Sequence, residues 1–228
     1  MHERRMWTLP IARVVLLLII LNIPSNVSAD PSVPALPTIK DAHFRLSFEG
    51  FTLGMTSAEV VNVLSNRSGS IWSTFKRPCV NDYAQAADAG LRPSEAPQHC
   101  TQMILYREGS REYDLAFIED YPDNPGSAIL ISLNITPSQD QVELDGKLTS
   151  EVLSAYGTPT VTDGHSPWNG AMWCAALCKM TDWNTVGSGA MAYFERGQQF
   201  NLGDNAYSES RYDAIKRFLK SHKIDAGP

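Results

Sequence analysis

The fold is decided by residues 50–64, which read GFTLGMTSAEVVNVL. Thr56 and Glu59 have the spacing of a capping box, in which the threonine hydroxyl accepts the backbone N–H of Glu59 and the carboxylate accepts that of Thr56. The apolar residues after the box recur at helical spacing and form one stripe: Val60, Val61, Val63 and Leu64. The stretch therefore predicts a short helix that begins after Thr56, ends near Asn66 and needs an apolar surface to cover.

A sheet that would supply this surface is predicted downstream. Apolar and polar residues alternate in three segments separated by turn sequences: 102–107, 112–119 and 127–136. Such alternation leaves one apolar face and is typical of an antiparallel meander with a helix packed on it. A further strand is predicted at 43–48. Residues 80–99 follow neither the strand period nor the helix period and predict a polar loop.

The same order of elements returns in the second half of the chain. Residues 144–156 predict a second helix that stops at Gly157. Strand-like segments and a last helix follow: 171–177, 189–195, 198–202 and then 212–222. Residues 151–153 (EVL) occupy the place of residues 59–61 (EVV), which suggests an internal duplication. We therefore predict an α+β fold of two tandem helix-plus-antiparallel-sheet units, 43–138 and 139–228, with the helices packed on the sheets.

Two short segments resemble a known architecture. Residues 51–60, which fit the pattern FxLGMTxxEV, are similar to the helix start of the SmpA/OmlA (BamE-like) envelope proteins, and residues 156–159 (YGTP) resemble the helix exit of that unit. The tandem unit resembles the β-lactamase-inhibitor-protein architecture. The resemblance implies protein–protein contact as the function. The lipid-bearing cysteine of the SmpA/OmlA lipoproteins is missing here, so the resemblance does not extend to a membrane anchor.

The first 29 residues predict a secretory signal peptide. Arg4, Arg5 and Arg13 precede an apolar run at 14–23, and Val27-Ser28-Ala29 supplies a small-residue cleavage site. The run is about half as long as a membrane-spanning helix requires. We expect cleavage after Ala29, an extended leader at 30–42, and an exported, soluble protein of the periplasm or extracellular space with no stable membrane anchor.

The charge of the chain argues against one class of partner. The formal net charge is −6 at pH 7, and we find no cluster of Lys and Arg in the sequence. An acidic chain of this kind is repelled by phosphate backbones and by anionic membrane surfaces. We therefore expect no nucleic-acid partner and consider a protein partner instead.

Four cysteines follow the predicted signal peptide: Cys79, Cys100, Cys174 and Cys178. An even number in an exported protein predicts two disulfides. Three pairings exist, and we favour Cys79–Cys100 with Cys174–Cys178 because each closes a local loop. A zinc site at the second pair would need two more ligands at finger-like spacing, and a redox pair would have the spacing C-x-x-C. We expect no metal and no cofactor.

The sequence carries no recognised catalytic motif. It lacks G-x-S-x-G, H-E-x-x-H, a phosphate-binding loop and a dinucleotide fingerprint. One acidic group offers oxygen ligands for Ca²⁺: Glu119, Asp120, Asp123 and Asn124. Its spacing differs from that of an EF-hand, and the prolines within and after it favour a hairpin turn. We therefore assign no catalytic residue and no metal ligand.

Three tryptophans surround the second cysteine pair: Trp168, Trp173 and Trp183. Tryptophan is enriched at binding hot spots, so we take these residues as candidate binding residues. The alternative is that they pack the second sheet. We expect a non-catalytic envelope factor or inhibitor that binds a protein or a ligand; the alternative is a secreted hydrolase. An exposed sheet with aromatic residues would favour the binder, and a deep pocket with converging polar groups would favour the hydrolase.

Overall fold

The computed structural model describes residues 46–138, 146–157, 161–162, 170–174, 190–195 and 199–224. The predicted signal peptide and leader lie outside these ranges, as do Trp168, Trp183 and Cys178. No helix within the described ranges is both long enough and apolar enough to cross a membrane.

The described residues form a short hairpin, an eight-stranded sheet and four α-helices. The hairpin consists of β1 (Ser47–Phe48) and β2 (Phe51–Thr52). The sheet contains β3 (Ser70–Arg77), β4 (Cys100–Glu108), β5 (Arg111–Asp120), β6 (Asn124–Pro137), β7 (Val161–Thr162), β8 (Gly170–Cys174), β9 (Ala190–Glu195) and β10 (Gln199–Asp204). The helices are α1 (Ser57–Ser65), α2 (Val80–Asp88), α3 (Gly146–Tyr156) and α4 (Asn205–Ser221).

The strand order of the sheet is symmetric about its centre. It runs β3-β4-β5-β6-β10-β9-β8-β7, and every neighbouring pair is antiparallel. Each half is a meander of four sequential strands, and the two meanders meet where Leu133 of β6 pairs with Leu202 of β10. The predicted α+β class, with helices packed on an antiparallel sheet, is confirmed. The two halves that we predicted as tandem units contribute to one continuous sheet.

Helix α1 begins at the predicted capping box. The Thr56 N–H donates to the Glu59 carboxylate at 2.7 Å, and the Glu59 N–H donates to the Thr56 hydroxyl at 3.3 Å. The segment before the box is bonded to β6, because the Gly54 N–H donates to the Leu130 carbonyl at 2.8 Å. Local sequence therefore sets where the helix starts, and β6 sets where it lies.

Helix α3 repeats the burial pattern of α1. Val60 of α1 and Val152 of α3 are completely buried, while the residues that follow them, Val61 and Leu153, are 43% and 46% exposed. The matching segments 59–61 and 151–153 therefore present the same face to the protein interior. This agreement supports the predicted duplication.

Both helices cover one hydrophobic core. Its members from the first half include Tyr106, Leu115 and Leu133, and its members from the second half include Phe200 and Leu202. All five side chains are at most 1% exposed. The core is continuous across the β6–β10 junction, so the two halves stabilise each other.

A largely shielded charge network, in which Arg111 is buried and Arg67, Glu49 and Glu108 are partly exposed, fixes the turn of the β1–β2 hairpin. The Arg67 guanidinium, just after α1, donates to the Glu49 carboxylate at 2.9 Å and to the Glu108 carboxylate at 2.7 Å. It also donates to the Tyr113 hydroxyl at 3.0 Å. The Glu49 carboxylate is shared with Arg111 at 2.5 Å. Burial raises the pKa of Tyr113, so its phenol keeps its proton and donates to Glu49 at 2.8 Å.

Helix α2 was not predicted. Residues 80–99, predicted as a polar loop, contain α2 and a 3₁₀ turn at Pro93–Glu95. Helix α2 buries little more than Val80 and Ala86, so its apolar stripe is too short to give a period in the sequence. Its first N–H, that of Val80, donates to the buried Glu119 carboxylate at 2.7 Å. The helix is thus held by a contact from β5, which is remote in sequence.

Strand β3 was not predicted at all. None of its residues is buried, so the apolar alternation that reveals a half-buried strand is missing. Helix α4 was predicted at 212–222 but begins at Asn205, where the Asp204 side chain caps it by accepting the Tyr207 N–H at 2.9 Å. Of the apolar residues on this helix, Leu219 is buried, and Ile215 and Phe218 are partly exposed.

The predicted disulfide Cys79–Cys100 is present and joins the start of α2 to the start of β4. Cys178 lies outside the described residues, so the predicted Cys174–Cys178 bond stays a prediction.

We predict that Thr56→Ala lowers the free energy of unfolding by about 1 kcal/mol, because the first turn of α1 loses its capping acceptor. Denaturant unfolding followed by circular dichroism measures the change. The control is Ser57→Ala, which alters the next residue and leaves the box intact. Equal stability of the two variants would show that the box contributes nothing.

We also predict that peptide mapping without reductant links Cys79 to Cys100 and Cys174 to Cys178. Cleavage after Glu95 separates the first two cysteines, so their bond joins two peptides in a digest by a glutamate-specific protease. Reduction should lower stability by about 3 kcal/mol, the value for closing a loop of this size. A peptide that joins Cys79 or Cys100 to either later cysteine would contradict the assignment.

Candidate protein-binding surface

The structure places one of the three candidate tryptophans in the core. Trp173 on β8 is completely buried, and its indole N–H donates to the Gly157 carbonyl at 3.1 Å. Its ring lies 5.7 Å from that of Tyr156. Trp173 therefore packs the second half of the sheet, the alternative given above. Trp168 and Trp183 lie outside the described residues, and their role as binding residues stays a prediction.

Exposed aromatic side chains occur instead on β3. Trp72 is 54% exposed and Phe75 is 48% exposed, and Ile71 beside them is 41% exposed. The other large apolar side chains exposed in the described ranges stand on separate elements: Val61, Leu91, Leu153 and Tyr212. Ile71 pairs with the core residue Tyr106, and Phe75 pairs with Met103 on the opposite face. Three exposed large apolar side chains on one edge strand make β3 a candidate interaction site.

A β-bulge places Trp72. Ile71 pairs with Tyr106 and Ser73 pairs with the adjacent Leu105, so Trp72 is an extra residue on β3 with no partner on β4. Bulges redirect a side chain and increase the local twist of the strand. The strand begins where Gly69 approaches β4 closely, since a Cβ atom at Gly69 would lie 2.2 Å from the Arg107 carbonyl oxygen.

Beside β3, the sheet face opposite the core carries partly exposed side chains. Phe75 pairs with Met103, and Ser73 pairs with Leu105, which pairs with Asp114 of β5. The same cross-strand row continues through Asn134, Asn201 and Tyr193, all partly exposed.

Helix α4 contacts β5 and β6, and Ile118 and Ile129 are buried at the end of these strands where α4 lies. We call Trp72, Phe75, Met103, Leu105 and Asp114 the β3 surface.

Two polar groups next to the apolar part of this face are in unfavourable surroundings. The Asn134 side-chain oxygen is buried and accepts no hydrogen bond from the described residues. Burial raises the pKa of the Asp114 carboxyl, and the Glu112 carboxylate raises it further. Both features cost stability in the isolated protein. Features that lower stability in this way are often retained in proteins where function requires them.

A cleft of about 590 Å³ lies elsewhere, between the β1–β2 turn and α3. Its lining includes Glu49 and Glu151, but Arg111 pairs with both carboxylates, at 2.5 and 2.9 Å. Lys147, also in the lining, pairs with Glu151 at 3.2 Å. The charges of the cleft thus bind one another as part of the network around Arg67. This arrangement favours a structural role over the converging catalytic groups that a hydrolase needs.

The acidic residues considered for Ca²⁺ are engaged in protein contacts. Glu119 accepts the N–H groups of Val80 and Gly126 at 2.7 and 2.8 Å. Asp120 accepts the Tyr207 hydroxyl at 2.7 Å, and Asp123 pairs with Arg211 of α4. Glu119 also lies close to Cys79 and Cys100, but the two sulfur atoms are bonded to each other. These contacts hold the β5–β6 turn against α2 and α4.

The β3 surface was not predicted from the sequence, because the prediction of strands relied on the apolar alternation of a buried face, and no residue of β3 is buried. The signal available was the segment SIWSTFKR at 70–77, in which aromatic residues stand among small polar ones between Gly69 and Pro78. Such a segment has strand propensity without the pattern of a core strand. It is typical of an exposed edge strand.

Comparison of the chain with protein-family models, with characterised proteins and with solved structures gives no match in any of the three. The surface must therefore be interpreted from its own geometry and chemistry.

We predict that Asp114→Asn raises the melting temperature at about pH 7 and has no stabilising effect near pH 3. The pKa of this carboxyl is raised above its ordinary value of 3.8 in the folded protein. The folded state therefore binds the proton more tightly than the unfolded state, and stability is lost as pH rises from the ordinary pKa through the folded one.

Asparagine has no such titration, so its advantage appears only above this window. Thermal unfolding at the two pH values measures it, and Asp213→Asn on the exposed face of α4 is the control. A gain for Asp114→Asn of equal size at both pH values would contradict the stated cause.

Proposed function

We propose that this chain is an exported protein that binds another protein through the β3 surface and has no catalytic activity of its own. The observation that carries the proposal is the exposure of Trp72 and Phe75 on one edge strand. Aromatic side chains of this kind supply most of the energy at protein interfaces, where a partner covers them. Scattered apolar residues on a surface are ordinary, but a group on one strand is not.

The neighbouring residues suit an interface of mixed character. Met103 and Leu105 extend the apolar area next to Phe75, and Asp114 and Asn134 follow it with polar groups. Interfaces combine a small apolar centre with polar groups that fix the orientation of the partner.

Export is proposed on two grounds. The first 29 residues have the order of a signal peptide. The Cys79–Cys100 bond is of the kind that forms and persists in oxidising compartments. The partner would then be another protein of the cell envelope or of the extracellular medium.

The proposal is tested by introducing a photoreactive amino acid at position 72 and crosslinking in the exported fraction of the source cells. The captured protein is purified, and its affinity for the exported form of this chain is measured. We predict that Trp72→Ala weakens binding about 30-fold or more, the effect of removing a hot-spot side chain, with little change in melting temperature.

The control is Tyr212→Ala, which removes an aromatic side chain of similar exposure, 45%, from α4. It should leave the affinity unchanged. Equal affinities of the Trp72 and Tyr212 variants would refute the proposed surface, and unfolding of Trp72→Ala would show that the indole is needed for the fold.

A further inference from the structure

We propose that the outer edge of β3 accepts an extended acidic segment of the partner as an added strand, with carboxylates of that segment bound by Lys76 on one face of the strand and by Arg77 on the other. This inference rests on the proposed binding function and specifies the chemistry of the partner. It is supported by the geometry of the edge, by the absence of carboxylate partners for its two cationic side chains within the described ranges, and by the net charge of the chain.

The edge from Ser73 to Arg77 is regular and has no strand beside it among the described residues. In that part of the chain, β3 ends the sheet and pairs with β4 alone. The bulge at Trp72 lies before Ser73, and the second irregularity, between Phe75 and Lys76, inserts its extra residue in β4. Residues 73–77 therefore form an uninterrupted strand of roughly 16 Å. A strand with a free edge is the acceptor used when an extended peptide adds to a sheet.

The cationic residues at the end of this edge have no carboxylate partner within the described ranges. Arg67, Arg107, Arg111 and Arg211 each form an ion pair with Glu or Asp. No acidic residue of the described ranges pairs with Lys76 or Arg77. One terminal nitrogen of Arg77 is buried and has no hydrogen-bond acceptor.

A carboxylate from a partner would form a charge-assisted hydrogen bond with the exposed Lys76 ammonium or with the partly exposed part of the Arg77 guanidinium. Such bonds are roughly twice as strong as neutral ones, and the planar guanidinium matches the carboxylate geometry. A second copy of this chain is a poorer occupant of the edge, because β3 would bring the same two cations and no carboxylate. The free edge and the unpaired cations thus select the same ligand, an acidic strand.

The net charge of the chain limits the size of the acidic region. Cleavage after Ala29 removes one glutamate and three arginines, so the formal charge of −6 becomes −8 in the exported form, which repels a strongly acidic body at long range. A short extended segment with one or two carboxylates avoids this repulsion and reaches the local positive charge of Lys76 and Arg77. Apolar side chains elsewhere in the segment would cover Trp72 and Phe75, which a purely acidic peptide would leave in water.

The experiment is a selection of ten-residue peptides from a random displayed library on the immobilised exported protein with its disulfide intact. We expect the wild-type protein to enrich peptides that combine Asp or Glu with aromatic or β-branched residues. The same selection on Lys76→Gln/Arg77→Gln should lose the preference for acidic residues and keep the apolar one. The best acidic peptide should bind this variant roughly tenfold to a hundredfold more weakly.

Two further measurements separate strand addition from simple charge attraction. Methylation of alternate backbone amides of the selected peptide should abolish binding, because an added strand needs those N–H groups. Raising the salt from 50 to 500 mM should weaken binding to the wild type and leave binding to the double variant nearly unchanged. Retained affinity after methylation would overturn strand addition.

The remaining outcomes are also decisive. Enrichment of the same acidic peptides on the wild type and on the double variant, or no enrichment on the wild type, would overturn the inference. If the double variant fails to fold, Lys76→Gln alone, at an exposed position, should still reduce affinity for the acidic peptide. Selected peptides that lack acidic residues but depend on Trp72 would refute the acidic segment and leave the proposed binding function standing.

Discussion

The position of the guanidinium of Arg67 is the constraint on which the rest of the structure depends. It joins three parts of the chain that are distant in sequence, since it binds the hairpin turn at Glu49, β4 at Glu108 and β5 at Tyr113. The guanidinium also lies 5.3 Å from the centre of the Phe51 ring. Buried charge is costly unless every donor and acceptor is matched, and here the acceptors come from three separate elements.

The network extends from the first half of the protein to the second. Arg111 binds Glu49 of the hairpin turn and Glu151 of α3 at once, at 2.5 and 2.9 Å. The hairpin therefore cannot move without disturbing either half. Its Phe48 packs against Phe200 of β10, with ring centres 4.4 Å apart, and the Ser47 carbonyl accepts the Tyr156 hydroxyl at 2.8 Å. Polar contacts thus orient the hairpin, and apolar contacts hold it on the core.

The parts of the fold that could be predicted were those set by local sequence. The capping box at Thr56 and the alternation along β5 depend on a few neighbouring residues, and both are present in the structure. Helix α2 was missed because its start is held by Glu119, a contact that no local pattern encodes. Strand β3 was missed because it buries neither face. The exposed position of Trp72 depends on the register of β3 against β4, which only the folded chain reveals.

Trp173 is buried, and the other predicted binding residues stay predictions, for a related reason. A tryptophan is equally suited to a core and to an interface, and its neighbours decide between them. Trp173 pairs with Ala192 on β9, and this small neighbour leaves room for the indole inside the protein. Trp72 and Trp173 carry the same side chain, but the first is exposed and the second is buried. Composition alone therefore identifies candidate residues, while the strand pairing assigns them to the core or to the surface.

The symmetric order of the sheet has a consequence for how the protein folds. Within each meander the strands are neighbours in sequence, so their pairing closes short loops. The β6–β10 junction joins residues such as Ile135 and Phe200, which are far apart in sequence, and its formation must bring the whole second meander back to the first. The entropy of closing this long loop is lost in a single pairing, so the β6–β10 junction contributes more to the contact order of the fold than the pairings within either meander.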